Sequence, residues 1–322
     1  MKPDLSEIQA AAEIVYSSMP PTPQYCWPLL CEYLGTEVWV KHENHTPVGS
    51  FKIRGGLVYF ADHAKSDVLK KGVISATRGN HGQSLGFSAK RYGIPATVVV
   101  PKGNSMEKNA AMRALGVELI EYGDDFQESR EEAIRISKEK GLHMIPSFHK
   151  SLIFGVATYS QELLYAVPDM EVVYVPIGLG SGICGMVAAR DALGLKTEIV
   201  GVVSAHAMAY FNSFSSKVLV ESQVSTMLAD GMACRTPEHG ALEVIWQGVE
   251  RIVAVTDNEV AHAMRILYSC THNVCEGAGA AATAAAIQER SKIIGRKVAV
   301  VVSGGNVDGN IFASVLNGNY DF

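Results

Sequence analysis

Short β-branched runs alternate with longer amphipathic stretches along this sequence. EVWVKHE (37–43), VISA (73–76), ATVVVP (96–101) and VELIEY (117–122) predict strands. VVYVPIG (172–178), EIVGVVS (198–204), RIVAVT (251–256) and KVAVVVSGG (297–305) predict four more. Helical patterns fill the intervals at 82–92, 106–114, 125–140, 183–193, 258–269, 279–290 and 308–316. Strand, helix, strand repetition predicts an α/β fold, mostly parallel, with helices on both faces. The continuous apolar strands agree, because a parallel strand is covered on both sides. The opening MKPDLSEIQAAAEIVYSS reads as an amphipathic helix capped by Asp4 or Ser6, and it lacks a signal-peptide pattern.

No repeat, low-complexity tract or long linker interrupts the pattern. A chain of 322 residues with 48% hydrophobic content can bury more than one compact core. The expected division is a large domain from 1–71 and 150–322, with a small α/β domain inserted at 72–149. A net charge of -5 leaves no electrostatic footprint for nucleic acid and no polybasic patch for a membrane surface. No apolar run approaches a membrane span. Cys26, Cys31, Cys184, Cys234, Cys270 and Cys275 show no zinc-site or redox-motif spacing. They are read as reduced thiols of a cytoplasmic protein.

Ligands of open α/β sheets sit beyond the carboxyl ends of strands. That directs attention to four loops rich in Gly, Ser, Thr or Asn: 44–53, 77–83, 178–185 and 303–309. Gly178-Leu179-Gly180-Ser181-Gly182 follows a strand and opens a helix. It is either a cup of backbone N–H groups for a phosphate or a tight turn that binds nothing. It is neither a Walker loop nor a dinucleotide fingerprint. Lys52 follows Phe51 at the start of a helix. A lysine so placed has a lowered pKa or is used as a Schiff base, unless its stem simply lies along Phe51 at the surface. Thr77-Arg78-Gly79-Asn80-His81 offers amides and a hydroxyl for a carboxylate, with His81 a capping or supporting residue before a catalytic base. Ser303 can hydrogen-bond a ring nitrogen without forcing its protonation.

In order and spacing, Ser50-Phe51-Lys52-Ile53-Arg54-Gly55, Gly79-Asn80-His81-Gly82 and Ser303-Gly304-Gly305-Asn306 resemble the fold-type II pyridoxal-phosphate enzymes. Within that tryptophan synthase β-like family, they resemble the serine/threonine dehydratase and serine racemase branch. The resemblance implies two open, twisted, mostly parallel sheets flanked by helices. It implies pyridoxal 5'-phosphate bound as a Schiff base to Lys52, the catalytic lysine, with Phe51 beside the ring. Asn80 matches the residue at the 3′-oxygen, Gly178 to Gly182 the phosphate loop, and Ser303 the ring-nitrogen partner. Glu276 matches a glutamate near the cofactor, and Thr77 to His81 the substrate carboxylate clamp. The implied activity is removal of water from threonine or serine, giving a 2-oxo acid and ammonia. The implied partners are a small amino acid and a second copy of the chain, as a homodimer.

Departures from the family pattern narrow this reading. Racemases of the branch carry a serine base immediately before the Gly-Asn-His-Gly block, where this sequence has Arg78. An always-charged guanidinium is a poor proton shuttle, so a racemase is disfavoured. Arg78 either pairs with a second acidic group on the substrate, as in 3-hydroxyaspartate, or ties its loop to a neighbouring carboxylate. Another β-substituted amino acid is a further option, and a non-enzymatic binding protein is disfavoured by the intact set of loops. Relatives that bind a divalent cation use a Glu and an Asp after a strand like EIVGVVS. Val203-Ser204-Ala205-His206-Ala207-Met208-Ala209 has neither, so no divalent metal is expected. The sequence stops at Phe322, soon after the last predicted helix, so end-product feedback through the C-terminal domain of biosynthetic threonine dehydratases is not expected.

Overall fold

The computed structural model describes residues 2–64 and 66–319. Phe322 lies outside the described residues. Among the described residues, ten strands build two sheets: β1 (Gln24–Cys26), β2 (Glu37–His42), β3 (Val73–Ala76), β4 (Ala96–Val100), β5 (Glu118–Glu121), β6 (His143–Met144), β7 (Val172–Pro176), β8 (Glu198–Ser204), β9 (Arg251–Val255) and β10 (Lys297–Val302). The larger sheet runs β1-β2-β10-β7-β8-β9, parallel except for β1. The smaller runs β5-β4-β3-β6 and is wholly parallel.

Both faces of the larger sheet are buried, which explains its uninterrupted apolar strands. Val172, Tyr174, Val200 and Val300 pack with the helices Asp257–Thr271 and Gly277–Gln288. Val173, Val175, Ile199 and Val301 pack on the other face with the helices Lys150–Ala166 and Ser181–Ala192. The smaller sheet repeats the alternation, with Val98 and Val100 on one side and Ile74, Ala76 and Val99 on the other. The helix Gly277–Gln288 has only Gly, Ala and Thr283 from Gly277 to Ala286, all buried. It packs closely: a Cβ on Gly279 would meet Gly304 O at 2.3 Å.

Local chemistry settles the ends. Asp4, not Ser6, caps the first helix (Leu5–Tyr16) in a reciprocal capping box with Glu7. The last strand stops at Val302 instead of 305, because Ser303–Gly305 turns to bond the loop before Lys52. Ser303 O accepts from Phe51 N at 3.1 Å, and Gly305 N donates to Gly49 O at 2.9 Å. Two short strands, β1 and β6, and the helices Pro28–Leu34, Lys150–Ala166, Ala209–Ser216 and His239–Gly248 add to the sequence expectation. All six cysteines are free, and Cys26 and Cys31 bring their Sγ atoms to 3.4 Å.

No described helix is long and apolar enough to cross a membrane. The four polar loops follow the carboxyl ends of β2, β3, β7 and β10, the position where α/β sheets hold ligands.

Candidate active site

One cleft gathers all four loops. Its lining includes Phe51, Lys52, Thr77, Arg78, Gly79, Asn80, His81, Gly178, Leu179, Gly180, Ser181, Gly182, Glu276 and Ser303, every site residue expected from the sequence. It also includes Lys108, Phe126, Ser147, Cys234 and the turn Asp230–Met232.

Lys52 opens the helix Lys52–His63, and its Nζ lies 4.9 Å from the centre of the Phe51 ring. Burial pushes its pKa down to about 8, against the opposing pull of Glu276. The free amine is therefore half populated near pH 8 and falls tenfold per unit below it. Competitive acylation of the cofactor-free protein should label Lys52 with a midpoint near 8. A midpoint at the ordinary lysine value would refute the desolvated amine. His81 is held neutral by the same cause, its pKa pushed down to about 3 by burial and by Lys52. Its Nε2 is buried without a hydrogen-bond partner among the described residues, and it does not cap its helix, Asn80–Arg91.

The glycine loop is shaped by close approaches. A Cβ on Gly178 would meet Gly231 O at 2.4 Å, and Gly180 holds φ +98, a region side chains avoid. The helix Ser181–Ala192 starts with no side-chain cap, so its first N–H groups face the cleft unsatisfied by the protein's own side chains. The helix Asn80–Arg91 also starts uncapped. Thr77 Oγ1 accepts from Gly79 N at 3.0 Å and sets the turn between them. Ser303 is 7% exposed, and its side chain makes no hydrogen bond among the described residues.

Asn80 is fixed from two sides. Its Nδ2 donates to Glu276 Oε1 at 2.6 Å, and its Oδ1 accepts from Asn306 Nδ2 at 2.8 Å. Burial raises the pKa of Glu276, with Lys108 acting against the rise. Lys108 Nζ donates to Asp230 Oδ2 at 2.8 Å and lies 3.5 Å from Glu276 Oε2. These two carboxylates hold it protonated, overcoming burial. Sequence reasoning missed Lys108, whose partners lie far along the chain. The available signal was its phase with Met112 on the buried face of the helix Met106–Ala114. Arg78 is exposed on the cleft wall, with no ion pair or hydrogen bond among the described residues. The reading that ties it to a neighbouring carboxylate is therefore not met.

Three features suit pyridoxal phosphate: a desolvated lysine amine, an uncapped helix start behind a glycine loop, and a free serine hydroxyl. Lys52 would hold it covalently, the start of the helix Ser181–Ala192 its phosphate, and Ser303 its ring nitrogen. Among the described residues, no group of three or more His, Cys, Asp or Glu side chains is placed to hold a metal ion.

Known proteins point to the same cofactor. The family model described as "Pyridoxal-phosphate dependent enzyme" matches residues 17–304. An L-threonine ammonia-lyase of Thermotoga maritima is 34% identical over 290 residues, covering 90% of this chain and 72% of its own. Maize serine racemase superimposes with a TM-score of 0.89 at 26% identity, covering 99% of this chain and 98% of its own. The processed form of threonine deaminase isoform 2 from Solanum lycopersicum gives 0.88 at 27% identity, covering 98% and 94%. The chain belongs to the pyridoxal-phosphate dependent enzymes, within their fold-type II serine/threonine dehydratase group.

Proposed function

We propose that the chain removes water from a small β-hydroxy-α-amino acid, threonine or serine, the proton leaving Cα and the hydroxyl leaving Cβ, and that hydrolysis of the enamine so formed gives a 2-oxo acid and ammonia. The observation that carries this reading is the proton affinity of the cleft's bases. Lys52 is pushed down to about 8, near the working range of a general base. His81, at about 3, is too weak a base. Lys108 is locked in its charged form by Asp230 and Glu276.

When bound, pyridoxal phosphate supplies a conjugated ring that accepts the electron pair left at the substrate Cα. The protein's own part follows from the geometry. The uncapped start of the helix Asn80–Arg91 receives the substrate carboxylate, and Lys52 Nζ takes the Cα proton. The Ser303 hydroxyl would meet a ring nitrogen without the negative charge that would hold it protonated. Glu276 and Asn306 keep the Asn80 amide from rotating, with its Nδ2 held on Glu276 and its Oδ1 on Asn306. Arg78 does not serve as a second base, because guanidinium keeps its proton. That weighs against racemisation as the main reaction.

Release of 2-oxo acid and ammonia from L-threonine and L-serine by the holoenzyme tests the proposal. A protein that binds the cofactor yet yields neither product from either substrate would overturn it.

The protein is further read as a cytoplasmic homodimer. Its six free thiols suit a reducing compartment. Tyr25, Leu29 and Val274 are 50%, 54% and 43% exposed. Tyr25 is linked to the segment Asn273-Val274 through the buried ring of His42, stacked on His45, and the bond between His45 and Asn273. Light scattering that returns the mass of a single chain would remove the dimer.

A further inference from the structure

Both passages of the chain between the two sheets meet at one cluster of rings. The helix Lys52–His63 ends before the chain enters the smaller sheet, and β6 is its last strand there before the helix Lys150–Ala166 packs on the larger one. Tyr59 and His63 come from the first passage, His143 from β6, and His149 from the cap position of the helix Lys150–Ala166. His63 stacks on Tyr59 with ring centres 4.3 Å apart, and lies 6.2 Å from His143 and 5.8 Å from His149. The His149 ring stands edge-on to Tyr59 at 5.1 Å. A cavity of about 520 Å³, bordered by Val58, His63, His149 and Phe154, leaves the rings room to part.

The bonds of the cluster suit neutral imidazoles. His149 Nδ1 accepts from Ser151 N at 3.2 Å, so this nitrogen carries no proton while it caps the helix. Tyr59 keeps its phenolic proton, since burial pushes its pKa up to about 12. Its hydroxyl lies 2.7 Å from His143 Nε2 and donates there when that nitrogen is bare. His63 Nδ1 donates to Tyr59 O at 2.8 Å. We propose that these three histidines form a proton-released clasp between the two sheets, holding the smaller sheet and its cleft wall against the helix that carries Lys52 while neutral, and letting it go when charged.

A charged His149 cannot cap the helix, and it places a cation at a helix N-terminus. Burial, and then His63, lower the pKa of both His143 and His149, and Lys150 lowers that of His149 further. Asp62 pulls His149 the other way, but it is exposed, where water weakens the pull. Glu7, on the cavity wall, accepts from Asp4 N at 2.9 Å. Lys71 lies beside Gly141, near His143. The helix Phe126–Lys140 packs on Met144 through Ala133 and Ile136. A released imidazole titrates near about 6.5. Rings held below that value stabilise the packed form above it, and the contribution is lost as pH falls from there through their own values.

Hydrogen exchange of the holoenzyme tests the clasp without needing turnover, so it stands apart from the dehydratase reading. Protection of the amides in 143–153, relative to an unstructured peptide at each pH, is read at about pH 7.5 and about pH 5.5. Wild type should lose about tenfold at the lower pH for each unit by which a ring is held down, while β8 and β10 keep their protection. His63→Gln/His149→Gln, outside the cofactor cleft, should show nearly the same protection at both. Should that pair disturb the packing already at pH 7.5, the imidazole titrations of wild type decide, assigned with the single variants. Loss of protection equal in wild type and the double variant, no loss in wild type, or midpoints of His143 and His149 at or above about 6.5 would overturn the proposal.

Discussion

The Lys52→Ala holoenzyme should turn over threonine at least about 10³-fold more slowly than wild type, and the purified protein should lose its visible absorbance. General-base catalysis alone accounts for about 10²- to 10⁴-fold, and removal of Nζ also takes away the covalent hold on the cofactor. No other lining group can substitute, since His81 is too weak a base and Lys108 is held protonated. The Lys52 side chain makes no hydrogen bond or ion pair among the described residues, so the change strands no buried partner. The urea midpoint of the cofactor-free protein should therefore stay near that of wild type, which separates lost chemistry from lost folding. Turnover within tenfold of wild type would refute the role given to this lysine.

Two residues further on, Arg54 should show the opposite pattern, with large effects on stability. Arg54 is fully buried and spends its whole guanidinium on the protein. Nε and Nη2 donate to Glu43 at 2.7 and 3.0 Å, and Nη1 and Nη2 donate to Glu162 at 2.6 and 3.0 Å. Nη1 and Nη2 also donate to Thr158 and Thr22 at 2.9 and 3.1 Å. Lys41 adds a contact of 2.6 Å to Glu162. Arg54→Met leaves Glu43 without a cation partner in the dry interior, and such a broken buried pair costs about 3–5 kcal/mol. Urea unfolding should show a clearly lower midpoint, and the Arg54→Met/Glu43→Gln pair should recover part of the loss. An unchanged midpoint in the single variant would show that the network contributes nothing. The same bonds fix the loop from Glu43 to Lys52, so cofactor affinity should fall in parallel.

What could be read from the sequence follows from where the partners of each residue lie. Strands β7, β8 and β10 were legible because both faces are buried and nearly every position is apolar, and β2 because of its Val38-Trp39-Val40 run. The loops were legible because phosphate and carboxylate contacts use backbone amides, which call for Gly, Ser and Asn within a few neighbouring positions. The helix Lys150–Ala166 was not legible: its buried residues run round most of its circumference, so it shows no single apolar face to count. β1 and β6, at three and two residues, are too short for alternation to register. Lys108 escaped because its meaning comes from Asp230 and Glu276, and no local pattern announces such a meeting. For Arg78 the sequence left two readings open, and only the absence of a carboxylate partner among the described residues favoured one of them.

The alanine- and glycine-built helix behind the cleft has a consequence for how this protein can change over generations. Glu276 is its cap position, and the Gly279 backbone lies against Gly304, next to Ser303. With no side-chain volume to yield, an added methylene along its first turns must shift the helix as a body. That shift would carry Glu276 and the amide it fixes. Neutral drift is thereby shut out of a segment where most residues meet no ligand, and substitutions there would be inherited as defects of catalysis by residues that take no part in it.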